Sequence, residues 1–84
     1  MNYAVIFSYS FDDDVAVYLF ETVDEAIGFL VGSYKEELRI DTEENDWYSE
    51  GFLADDHYSA RITTYFSDHT DVTEFRVGTV YNNN

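Results

Sequence analysis

Across residues 22–39, TVDEAIGFLVGSYKEELR, the apolar side chains change period. Val23, Ala26, Ile27, Leu30, Val31, Tyr34 and Leu38 recur at every third or fourth position, which draws one apolar stripe along an α-helix. Thr22 and Glu25 have the spacing of a capping box, and Asp24 adds negative charge to the first turn, where the helix dipole favours it. Lys35 and Arg39 fall in the last turns of this segment, where cations are favoured. Gly28 and Gly32 each weaken the helix by about 1 kcal/mol relative to Ala. Their spacing allows close packing on the side away from the stripe.

On either side of this helix the period is two. In NYAVIFSYSF (2–11), Tyr3, Val5, Phe7, Tyr9 and Phe11 alternate with Ala4, Ile6, Ser8 and Ser10, so the first set is the expected core face. VAVYLF (15–20) is apolar on both faces, which predicts a central strand or one covered on two sides. DTEENDWYSE (41–50) reads as an acidic loop, and three strands follow at about 51–55, 58–66 and 72–81. Tyr58, Ala60, Ile62, Thr64 and Phe66 share a face in the fourth strand, as do Phe75, Val77, Thr79 and Tyr81 in the fifth. A hairpin through SDHT sets Ile62 opposite Phe75 and Ala60 opposite Val77. That register also sets Arg61 opposite Arg76, whereas a two-residue slip sets Arg61 opposite Gly78. The order is ββαβββ, an α+β fold: one amphipathic helix packed on one face of an antiparallel sheet, as a single domain over 1–84. The other sheet face then presents Ser8, Ser10, Arg61, Tyr65, Glu74 and Arg76.

Composition narrows the function. With 84 residues, 45% of them hydrophobic and 19% aromatic, the chain is too apolar for a disordered acidic segment and long enough for one core. It has no cysteine, which excludes a disulfide framework and a Cys-ligated zinc site and fits a cytoplasmic protein. The stretch MNYAVIFSYSFDDD shows no basic leader or cleavage-like site, so no signal peptide is expected. No run approaches the roughly 18 apolar residues of a membrane helix, and an anionic membrane would repel the chain.

The dominant feature is charge: 18 acids against 4 bases, a net of −14. A domain of this length should be about 30 Å across. The same length of duplex DNA carries roughly 18 charges, a comparable density. Direct nucleic-acid binding is therefore opposed, since only Lys35, Arg39, Arg61 and Arg76 are available to meet phosphates. A folded domain of this charge suits instead the Lys/Arg channel of a basic nucleic-acid-binding protein. The expected contacts are Asp12, Asp13 and Asp14 of FDDD, and Asp41, Glu43, Glu44 and Asp46 of the acidic loop. Trp47 and Tyr48 are the expected aromatic anchors. FDDD is a poor turn by its chemistry, having neither Asn-Gly nor Asp-Gly, so a binding role is expected for its carboxylates; the alternative is a plain turn, since aspartate tolerates turn conformations.

Other chemistries leave weaker traces. DTEENDWYSEGF starts like a calcium loop at Asp41, Glu43 and Asn45, but Asp46 replaces the turn glycine and Phe52 the bidentate glutamate. ADDHY and SDHTD place His57 and His69 beside carboxylates. Such neighbours raise a histidine's pKa and favour imidazolium over a neutral metal ligand. No nucleophile motif, P-loop or dinucleotide fingerprint is present, so neither an enzyme nor a cofactor is expected. The alternatives are a protein-interaction module or homodimer using the aromatic sheet face and, third, a small divalent-cation binder.

The stretches FSYSFDDDVAVYLFETVDEAIGFL and DHTDVTEFRVGTVYN, with the length and charge of the whole chain, resemble the small acidic DNA-mimic inhibitors of phages and other mobile elements, of anti-CRISPR and anti-restriction type. That resemblance implies a non-enzymatic inhibitor of a bacterial defence or DNA-processing protein. Such inhibitors share no common fold, so it assigns no residue.

Overall fold

The computed structural model describes residues 2–44 and 48–80. Six elements follow one another: β1 (Tyr3–Tyr9), β2 (Asp12–Phe20), α1 (Val23–Glu44), β3 (Tyr48–Leu53), β4 (Ser59–Tyr65) and β5 (Thr70–Thr79). The strands form one antiparallel sheet in the order β2-β1-β5-β4-β3, and α1 packs on one face of it. The fold is α+β with the expected ββαβββ order.

Helix α1 starts as its sequence dictates. The Thr22 hydroxyl oxygen accepts the Glu25 N–H at 3.2 Å and its hydroxyl donates to the Glu25 carboxylate at 3.0 Å. Ala26, Leu30 and Tyr34, four residues apart, are buried against Val5, Ala60, Ile62 and Phe75 of the sheet. The helix does not stop near Arg39 but runs on to Glu44, so 41–44 are helical and the expected acidic loop is much shorter. Two local interactions extend it: Arg39 pairs forward with Glu43, and Leu38 packs against the core. The last turn has no basic residue, contrary to the expected placing of Lys35 and Arg39.

The period-two faces fall largely as the alternation requires. Val5, Ala60, Ile62 and Phe75 are buried, and Tyr3, Phe7 and Val77 pack beside them. The buried Thr64 hydroxyl shares a 2.9 Å hydrogen bond with that of Ser49. Phe11 departs from its expected face. It sits at the tip of the β1–β2 hairpin, 64% exposed, with its ring 5.3 Å from that of Tyr9. Tyr58 and Thr79 are likewise exposed, and Tyr81 lies outside the described residues.

Two further expectations are corrected. β2 is an edge strand, bonded to β1 alone, because β1 takes β5 as its second neighbour. The β4–β5 register is neither of those expected: Ala60 faces Phe75, Ile62 faces Thr73 and Arg61 faces Glu74. A tight turn decides it. The Phe66 N–H donates to the His69 carbonyl at 2.9 Å, which pairs these two residues beyond the strand ends and leaves only Ser67 and Asp68 for the turn. The result replaces an Arg–Arg pair with an Arg–Glu pair.

FDDD is not the turn itself. Tyr9 pairs with Asp12 and Ser8 with Val15, so Ser10 and Phe11 make the reversal while Asp13 and Asp14 are absorbed in a bulge of β2. The Asp12 carboxylate accepts the Asp14 N–H at 3.0 Å, which holds the bulge. Ser10 anchors the tip: its N–H donates to the Val72 carbonyl at 2.9 Å and its hydroxyl accepts the Val72 N–H at 2.8 Å.

Candidate interaction site

Topology gathers acids at one end of the sheet. The β1–β2 tip, the C-terminus of α1 and the β4–β5 turn all lie there. Asp12, Asp13 and Asp14 arrive from the first, Glu37, Asp41 and Glu43 from the second, and Asp68 and Asp71 from the third. Tyr9, between them, feels both sides: burial, then Glu37 and the neighbouring Tyr18 and Asp12, push its phenol above the ordinary range. A cleft of about 210 Å³ runs between Tyr9, Phe11, Glu37, Asp41 and Asp71. The C-terminal end of the helix dipole adds further negative potential.

Two cations reduce this field in part. Arg39 bonds Glu36 at 2.5 Å and Glu43 at 2.8 Å, which raises its own pKa further and holds the Glu36 carboxyl below its usual range. His69 Nδ1 lies 2.6 Å from Asp68 and Nε2 lies 3.6 Å from Asp71. The Asp68 hydrogen bond raises the His69 pKa, as the flanking acids predict, and the same bond lowers that of Asp68. Glu37 and Asp41 behave oppositely. Burial raises both, and Asp41 and Glu36 raise Glu37 further.

The expected contact residues are thus unequal. Asp12, Asp13 and Asp14 stand exposed at the bulge. Asp41 is half-buried at the cleft, and Glu43 is held by Arg39. Glu44 ends α1, while Asp46 and Trp47 lie outside the described residues. Tyr48 goes elsewhere. It starts β3 at the opposite edge from β2, four strand spacings or about 19 Å away. Glu37 and Asp71 are not among the expected contacts; their signal is the i, i+4 pairing of Glu37 with Asp41 and the acid just beyond the SDHT turn.

The uncovered sheet face is different in kind. Glu50 and Glu74 are matched there by Arg61 and Arg76, so the face is close to neutral in a chain of −14. Tyr48 and Tyr65 stack at 5.9 Å and both donate hydroxyl protons to Glu50 at 3.1 Å, which raises both phenols. Val15, Val17 and Leu19 extend the face over the β2 edge.

The histidine turns are built as turns. The His57 N–H donates to the Ala54 carbonyl at 2.9 Å, and Asp56 accepts the Tyr58 N–H at 3.0 Å. His57 itself has a φ of 63°. Among the described residues no three His, Asp or Glu side chains converge to hold a metal ion, and Asp41 and Glu43 are fixed in helix. Among the same residues no helix is long and apolar enough to cross a membrane. No protein-family model matches the chain, and no curated protein matches its sequence.

Proposed function

We propose that this chain is a non-enzymatic binding protein that acts as a nucleic-acid mimic and occupies the basic cleft of a bacterial defence or DNA-processing protein, in the manner of anti-CRISPR and anti-restriction inhibitors. The observation that carries this reading is the convergence of Asp12–Asp14 with Glu37, Asp41 and Asp71 at one end of the sheet. Helix α1 and strand β5, of 22 and 10 residues, are each about 33 Å long. The whole molecule is 49 Å long rather than about 30 Å across, and duplex DNA of that length carries roughly 29 charges, against 18 acids and a net of −14 here, so the chain has about half of duplex charge density. A partner that releases counterions on binding DNA gains the same release on binding this surface.

The test is capture of basic proteins from a bacterial lysate at low salt, followed by competition with duplex DNA. A specific nuclease, helicase or repressor should be displaced by DNA, and the triple variant D12K/D13K/D14K should fail to hold it. Capture unaffected by DNA or by the charge reversal overturns the reading.

A second reading is a homodimer through the uncovered sheet face. The balance of Glu50 and Glu74 with Arg61 and Arg76 favours it, because that face can meet its copy without net repulsion. Five strands span about 24 Å, and two such faces in contact bury on the order of 1,000 Å², enough for a specific interface. Sedimentation at high salt should then show a dimer, and a monomer at all concentrations removes this reading.

A further inference from the structure

Beyond its bulge and its three N-terminal carboxylates, the outer edge of β2 has none of the protection that sheet edges usually carry. Residues 15–20, VAVYLF, contain no charge, proline or glycine, and the only irregularity lies at the tip, between Ser8 and Tyr9. β3, the other edge, carries Glu50 and Gly51. On the uncovered face of β2, Val15, Val17 and Leu19 are 56%, 53% and 49% exposed. These are the side chains that read as a central strand, yet the sheet leaves them without a neighbour on one side.

The helix-side face of β2 has a different chemistry. The Tyr18 ring lies 5.2 Å from Phe7 and 4.9 Å from Phe29. These rings floor a groove of about 540 Å³ whose rim includes Glu36 and Glu37. Gly28 and Gly32 leave the helix wall bare: a Cβ on either would meet nothing within 4 Å, so the pair does not serve close packing. Glu37 is partly desolvated and has no hydrogen bond or ion pair among the described residues. A carboxylate over aromatic rings suits an ammonium or guanidinium group, which gains from both. Acids bound the apolar run 15–20 at both ends, Asp12–Asp14 and Glu21.

We propose that β2 accepts an added antiparallel strand from the partner, an extended segment whose side chains alternate between apolar residues, laid over Val15, Val17 and Leu19, and Lys or Arg, directed toward Glu37 and the Tyr18–Phe29 groove. The proposal rests on the basic-partner reading above and names how that partner is held. Strand addition supplies main-chain hydrogen bonds, and the alternation supplies specificity. A second copy of this chain fits the edge poorly. Self-pairing of β2 about Val17 would set Asp13 against Glu21 and offer no cation to Glu37.

The test uses the full chain and two synthetic ten-residue peptides of alternating valine and lysine, one N-methylated along one edge of its backbone. The unmodified peptide should slow exchange of the β2 amides facing away from β1 at least tenfold and leave β3 unchanged. The N-methylated peptide, with the same charge, should bind at least tenfold more weakly and protect nothing, and Glu37→Gln should weaken the unmodified peptide several-fold. Equal binding of both peptides without β2 protection means attraction by charge alone. It overturns the strand-addition proposal and leaves the mimic reading standing, since the latter is judged by competition with DNA. Protection of β2 without peptide, growing with protein concentration, assigns the edge to a second copy and also overturns the proposal.

Discussion

Gly51 faces Tyr34 so closely that a methyl group in its place would overlap the tyrosine hydroxyl and stand 2.6 Å from Leu38 Cδ2. The helix rests on β3 at this point because β3 has no side chain there. Gly51→Ala should destabilise the fold by about 1–3 kcal/mol, the usual range for overpacking. Urea denaturation would measure this. Adding Tyr34→Phe, which removes the overlapping oxygen, should recover part of the loss, and no recovery would mean that Leu38 is the harder obstacle.

The register of β4 on β5 makes Arg61 and Glu74 cross-strand neighbours. Arg61→Glu should cost about 0.5–1 kcal/mol, and the swap R61E/E74R should restore most of it. If the swapped protein is no more stable than the single variant, the pair does not interact.

Three adjacent carboxylates at the β2 bulge repel one another and the acids of α1. Neutralising Asp13 and Asp14 to Asn should raise Tm at low salt, with the gain shrinking as salt screens the charges. Asp12 is kept in this variant because it accepts the Asp14 N–H. The same variant should bind a basic partner less well, so stability and binding should move in opposite directions.

Stability should also rise on mild acidification. The folded pKa values of Glu37, Asp41 and His69 are raised above their ordinary values, the first two chiefly by burial and the third chiefly by Asp68. Their stabilising contribution is complete below the ordinary values and is lost as pH climbs through the raised ones. Glu36 and Asp68 have lowered values, so their contribution fails only as pH falls through the depressed ones, below the ordinary carboxylate range. Thermal melts should therefore show a higher Tm near pH 5 than near pH 7.5, and a Tm that rises from pH 5 to pH 7.5 would contradict these assignments.

The helix was legible because seven apolar residues and a capping box agree on one period. Its last turns were not, because Asp41 and Glu43 face the negative end of the dipole and read as loop; the Arg39–Glu43 pair and the packing of Leu38 hold them in helix. The β4–β5 register escaped because Ser67–Asp68 lacks the glycine or asparagine that marks a two-residue turn. β2 was misplaced for a different reason. Its composition reports burial on both faces, but whether a strand is central depends on which distant strand its neighbour also pairs with. Asp12–Asp14 stand out in the sequence, whereas Glu37 and Asp71 join them only through the strand order.

Pairing Tyr3 with Thr79 has a consequence for how the chain reaches this state. The β1–β2 hairpin and the β3–β4–β5 meander each form from neighbouring segments, but the seam between β1 and β5 closes a loop of more than 60 residues. Closing so long a loop is slow, and both halves wait with open inner edges until it happens. During synthesis β1 lacks its second partner until β5 has left the ribosome. A strongly acidic surface would keep such half-built sheets apart in that interval.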